Sequence, residues 1–119
     1  MSVPVQVSFR NLSPRPSAEE MIQKKAAKLE TFYDRILNIE VQVEVPHRHQ
    51  HKGNHFHVRV TVSVPGHQFV VSRQSGDDRS EENLTAAISN AFKAARRELQ
   101  DYVAHQRDQV RQVTELSST

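Results

Sequence analysis

The sequence predicts an α+β domain of order β-α-β-β-β-α, a four-stranded sheet with both helices packed on one of its faces. Three observations predict it. Apolar residues recur at every second position over residues 3–9, 39–45 and 56–64, the period of a strand with one wet face. They recur at helical spacing over residues 17–34 and again from residue 80 onward. Each helical stretch carries a single apolar stripe, so each has one face to bury, and one face of a sheet can receive both.

The elements follow in order. Val3, Val5, Val7 and Phe9 alternate with Pro4, Gln6 and Ser8. Pro4 has no N–H to give to a ladder, which places it at a strand start or on an edge. A loop over 11–16 leads to Ser17, with Glu20 three residues on, a pattern that reads as a capping box. The first helix then runs to about Asp34 on a stripe of Ala18, Ile22, Ala26, Leu29 and Tyr33, and the chain turns at Asp34-Arg35. In the second strand Ile39, Val41, Val43 and Val45 point one way, and Glu40, Gln42 and Glu44 the other. In the third, Phe56, Val58, Val60, Val62 and Val64 point in, and His57, Arg59, Thr61 and Ser63 point out. Cross-strand pairing of Arg59 with Glu40 or Glu44 is expected on that wet face.

Val64-Pro65-Gly66-His67 reads as a tight turn into a short fourth strand over 68–74, with Phe69 and Val71 inward. After a polar loop over 75–79, the second helix starts near Ser80 with Glu81 and Glu82 in its first turn, where the helix dipole favours anions. Its stripe is Leu84, Ala87 or Ile88, Ala91, Phe92, Ala95, Leu99, and Tyr102 or Val103, with continuation toward Arg111. Residues 1–105 are expected to form one domain, and 106–119 a helix extension with a polar, frayed tail.

Composition narrows the function classes. At 119 residues the chain supports a modest core. It has no cysteine, hence no disulfide and no thiolate metal site. No apolar run approaches the ~20 residues that span a bilayer, and the N-terminus lacks a secretory pattern, so no membrane partner is expected and the cytoplasm is the expected location. Three glycines leave no phosphate-binding glycine loop, and no nucleophile motif is present, so an enzyme is not expected.

Two constellations stand out. His47, His49, His51, His55 and His57 crowd one hairpin loop. Imidazoles at that density are candidate zinc ligands, but without cysteine or carboxylate in the run the favoured reading is a solvated basic turn in which Arg48 and Lys52 touch phosphate. No cofactor is therefore assigned. The second constellation is cationic. Lys24, Lys25, Lys28 and Arg35 belong to the first helix and its exit, and Lys93, Arg96 and Arg97 to the second. On helices sharing a sheet face these groups can meet and neutralise phosphates. Against that stands a solvated-surface reading, in which Glu19, Glu20, Glu30 and Asp34 offset the first group. A metal-binding module and a generic double-stranded-RNA binder are the alternatives.

Lys28-Leu29-Glu30 followed by Tyr33-Asp34-Arg35-Ile36, the valine-rich strand 41–45, Thr61-Val62-Ser63-Val64-Pro65-Gly66, Leu84-Thr85-Ala86-Ala87-Ile88 and Arg97-x-Leu99 occur in this order. The set resembles the ribosome hibernation promoting factor and ribosome-associated inhibitor A family, also called the sigma-54 modulation protein family, over about residues 3–105. The resemblance implies a fold similar to double-stranded-RNA-binding domains. It implies a non-catalytic protein that binds the small ribosomal subunit through its 16S-type rRNA. There it would occlude mRNA and the A-site and P-site tRNAs during stress or stationary phase. It also implies rRNA contacts from Lys25 and Lys28 on the first helix and Arg97, beside Lys93 and Arg96, on the second. A monomer without DNA-binding activity is expected. Departures from the family pattern are Asn83, Thr85, Ala94, Gln100 and Asp101 on the second helix, and a longer histidine-rich loop.

Overall fold

A computed structural model describes residues 3–45, 56–74 and 81–117, with the second helix's side chains described over 82–107. The order is β1 (Val5–Arg10), α1 (Pro16–Phe32), β2 (Asn38–Glu44), β3 (His57–Val64), β4 (His67–Gln74) and α2 (Glu81–Ser117). The strands form one sheet in the order β1-β2-β3-β4. β1 runs parallel to β2, Val7 opposite Val41. Strands β2, β3 and β4 form an antiparallel meander, with Val41 opposite Val60 and Val60 opposite Val71. Parallel neighbours need a long crossover, and α1 supplies it.

The core is the layer between the sheet and the helices. From the sheet come Ile39, Val41, Val43, Phe56, Val58, Val60, Val62, Phe69 and Val71, and from the helices Ile22, Ala26, Leu29, Leu84, Ile88, Phe92 and Leu99, all buried. Burying one such side chain stabilises by about 1.5–3 kcal/mol. The two helical stripes and the inward alternation of the strands match the sequence reading, and both helices do share one sheet face.

Several local expectations change. Ser17 is not a cap: α1 starts at Pro16, Arg15 holds the cap position, and no side-chain cap bond forms. Proline at the first helical position makes this workable, because its missing N–H would have been an orphan and its φ is already helical. The Arg15 carbonyl takes up the Glu19 N–H at 3.0 Å. Helix α1 ends at Phe32 rather than Asp34, with Tyr33 already extended. Arg59 lies opposite Gln42, not opposite a glutamate; Glu44 faces His57 instead, with His57 Nδ1 3.8 Å from Glu44 Oε1. The register assigns these partners, and a register cannot be read from either strand alone.

Two junctions fix the sheet's ends. Gly66 has φ +77°, the value that the second central residue of a Pro-Gly turn requires, and this turn joins β3 to β4. At the far end of β1, Asn11 adopts φ +62° and its Nδ2 donates to the Val45 carbonyl at 3.0 Å. Helix α2 continues past Arg111 to Ser117, and among its described side chains the last buried one is Leu99. Tyr102 and Val103 are half-buried against the core, and residues 104–107 are exposed. Tyr102 ties the helix to the β3–β4 turn: its hydroxyl donates to the Pro65 carbonyl at 3.4 Å, and its ring stacks on His67 at 5.3 Å. Among the described residues no helix is long and apolar enough to cross a membrane.

Candidate nucleic-acid interface

The outer faces of α1 and α2 carry most of the candidate cations. On α1, core contacts consume Ala18, Ile22, Ala26 and Leu29. A helix advances 100° per residue, so Lys25 falls beside that stripe, Lys28 further round, and Lys24 on the face opposite it. They share with Ser17, Glu20 and Met21 the border of a concavity of about 370 Å³. Lys25 is half-buried along its stem, and Lys28 is exposed. Arg35, in the turn after α1, is also exposed.

The acidic residues of α1 offset less charge than a sum suggests. Glu20 pairs with Lys24 at 3.6 Å in an exposed i,i+4 bridge, a type worth only a few tenths of a kcal/mol. Glu30 faces elsewhere: its Oε1 accepts the Val3 N–H at 2.9 Å, holding the start of the chain against the helix. Among the described residues, neither Lys25 nor Lys28 forms an ion pair with a carboxylate. The same holds for Lys93, Arg96 and Arg97, all exposed on α2.

The helices touch, and one contact shows where the two cationic groups approach. The Arg96 guanidinium lies 5.3 Å from the centre of the Phe32 ring, at the last residue of α1. Lys28 precedes Phe32 by four residues and Lys93 precedes Arg96 by three, so each pair shares a helix face. The Arg96–Phe32 contact therefore marks the seam, with Lys28 one turn before it on α1 and Lys93 one turn before it on α2. Arg97 lies about 100° around α2 from Arg96, on the more outward flank. Sequence reasoning named the cations but not the ring between them. The available signal was the Phe32-Tyr33 pair, of which a single ring can point into the core. Tyr33 packs against the core, and Phe32 is 37% exposed.

The remaining candidates lie apart from this seam or outside the described residues. Arg48, Lys52, His47, His49, His51 and His55 are all outside them. His57 is at the start of β3 on the open sheet face, beside Glu44, Arg10, Gln42 and Arg59. Among the described residues no cluster of three or more metal-ligating side chains forms.

Residues 5–107 match the family described as Sigma 54 modulation protein / S30EA ribosomal protein. No curated protein matches the chain. Among solved structures, the chain resembles a ribosomal subunit interface protein from Coxiella burnetii, with TM-score 0.70 and 18% identity over 86% of this chain and 99% of that one. It also resembles the N-terminal domain of Protein Y from Thermus thermophilus, with TM-score 0.65 and 19% identity over 86% and 99%. At such identities these two likenesses speak for the fold. The family match spans nearly all of the sheet and the packed part of α2. The chain, with its β-α-β-β-β-α order and its basic helical seam, therefore belongs to the sigma 54 modulation / S30EA ribosomal protein family.

Proposed function

We propose that this protein is a non-catalytic translation inhibitor that binds the small ribosomal subunit and occupies the places of mRNA and of the A-site and P-site tRNAs. It would act on idle ribosomes during stress or stationary phase. Family membership supports the ribosomal partner. The observation that carries the mode of binding is the seam, where Arg96 of α2 lies over Phe32 of α1 and the exposed cations of both helices form no ion pair with a carboxylate among the described residues, Lys24 excepted. Such an array neutralises phosphates and releases their counterions, giving affinity that falls steeply with salt. Shape then selects the site, because the sheet holds the helices, and hence the cations, at fixed separation.

Lys25, Lys28, Lys93, Arg96 and Arg97 are assigned the rRNA contacts in this reading, with Lys24 and Arg35 at the margin. Arg48 and Lys52 extend it onto the histidine-rich loop. Occlusion needs no chemistry: a rigid body held in the tRNA path excludes tRNA by volume. The chain would act as a monomer in the cytoplasm.

The test is co-sedimentation of the purified protein with small subunits through sucrose gradients, at low and high salt, with excess tRNA as competitor. Salt-sensitive comigration displaced by tRNA is the expected result. Comigration untouched by tRNA would remove the occlusion mechanism. Equal affinity for any long RNA duplex would make the protein a generic duplex binder.

A further inference from the structure

One aromatic side chain at the seam stays out of the core. Phe32 closes α1, and its neighbour Tyr33 fills the adjacent core position. The Phe32 ring stays 37% exposed, while the other phenylalanines that end in the core are nearly closed off: Phe56 at 0%, Phe92 at 4% and Phe69 at 5%. Over one part of the ring lies the Arg96 guanidinium, 5.3 Å from its centre. A cation over an aromatic face is held by the ring's quadrupole, so ring and guanidinium steady each other. Lys28 precedes Phe32 by one helical turn on α1, and Lys93 precedes Arg96 by one turn on α2; both are exposed.

Lysines and arginines alone accept any phosphate backbone, paired or unpaired. A ring set among them adds a different demand. It offers a π-face, and only a base freed from a duplex stack can occupy one. We propose that Phe32, backed by Arg96, is a stacking site for one unpaired nucleobase of the RNA held along the α1–α2 seam. This rests on the rRNA-binding reading above and adds to it the kind of RNA feature recognised there: a bulge, loop or end rather than a continuous helix. Lys28 and Lys93 would take the phosphates on either side of the stacked nucleotide. Arg96 adds a second planar group to the stack.

The experiment uses the full chain with Phe32→Leu, Phe32→Trp and Lys28→Glu variants. Binding is measured to small ribosomal subunits, to a single-stranded oligoribonucleotide and to a blunt duplex of equal length, each over a range of salt. Phe32→Leu is expected to weaken binding to subunits and to the single strand by roughly 5- to 100-fold, the range for losing one base–aromatic stack. It should leave duplex binding, and the slope of log affinity against log salt, unchanged, because no phosphate contact is lost. Phe32→Trp should restore binding. As the chain has no other tryptophan, quenching of that single fluorophore by the single strand would report the stack directly.

Wild-type affinity in Phe32→Leu, with Lys28→Glu still weakened, would overturn the stacking site and leave the basic seam standing. An equal loss on the duplex, or a changed salt slope, would also overturn it, since the ring would then be supporting the cations. Failure of the wild type to bind subunits at low salt would overturn the rRNA reading and the stacking site together.

Discussion

The two solvent-facing sides of this molecule carry similar kinds of residue and arrange them differently. On the open sheet face, charges of both signs stand across from one another. Arg10 is opposite Glu44, Glu44 is opposite His57, and Arg59 lies one position diagonal to both Glu40 and Glu44. On the helical side, Glu20 offsets Lys24 and Glu30 is engaged by backbone, leaving Lys25, Lys28, Lys93, Arg96 and Arg97 as a predominantly cationic group, with Asp101 four residues beyond Arg97. A formal net charge of +2 conceals this segregation. The lesson is that a polyanion would be attracted by the local arrangement rather than by the total. The sheet alternates side chains at fixed positions and so pairs charges across strands. A helix aligns residues three and four apart, and so collects like charges into stripes.

Four measurements would break or sharpen this contrast. The largest effect is expected where both sides depend on a common support. Ile88→Ala removes a fully buried side chain between α2 and the sheet, and should lower unfolding free energy by about 2–5 kcal/mol in urea denaturation. Next, reversing charge at Lys28 and Arg97 together should weaken small-subunit binding on the order of 10- to 100-fold and flatten the salt dependence, with thermal melting unchanged. Neutralising Glu44 and Arg59 on the open face, assayed alongside, should change binding less than about 3-fold if the seam is the interface. Equal effects from the two doubles would dissolve the distinction between the sides.

A smaller effect is expected at the turn linking β3 to β4. Gly66→Ala meets no neighbour within 4 Å, so only the left-handed backbone at φ +77° opposes it. The cost should be about 1 kcal/mol in the same denaturation assay. The smallest belongs to the open face. Gln42→Thr keeps a β-favouring polar residue there and should stay within about 0.5 kcal/mol of wild type. A larger loss would mean that the open face does more than remain soluble.

Much of the fold was legible because burial leaves a period in the sequence. Val41-x-Val43 and Val58-x-Val60-x-Val62 could satisfy one wet and one dry face only as strands. Ile22-x₃-Ala26-x₂-Leu29 and Ile88-x₂-Ala91-Phe92 could do so only as helices. The Ser17 cap failed for a local reason: Pro16 one residue earlier starts the helix more effectively, and two start signals in adjacent positions compete. The candidate site was half legible. Its cations could be named from composition, whereas their partners could not, because Glu20, Glu30 and Asp34 look alike in a charge sum, yet among the described residues Glu20 pairs with Lys24 while Glu30 accepts a backbone N–H.

By itself, the sequence determined element type, order, the inward faces of all four strands and the identity of the basic residues. All of these follow from local periodicity and side-chain chemistry. Tertiary structure alone decided that β1 joins the sheet beside β2, that Arg59 faces Gln42, and that Arg96 meets Phe32 across two helices. Each of these joins residues far apart in the chain. Their proximity is set by how the helices and strands share one core, and nothing within either segment encodes it.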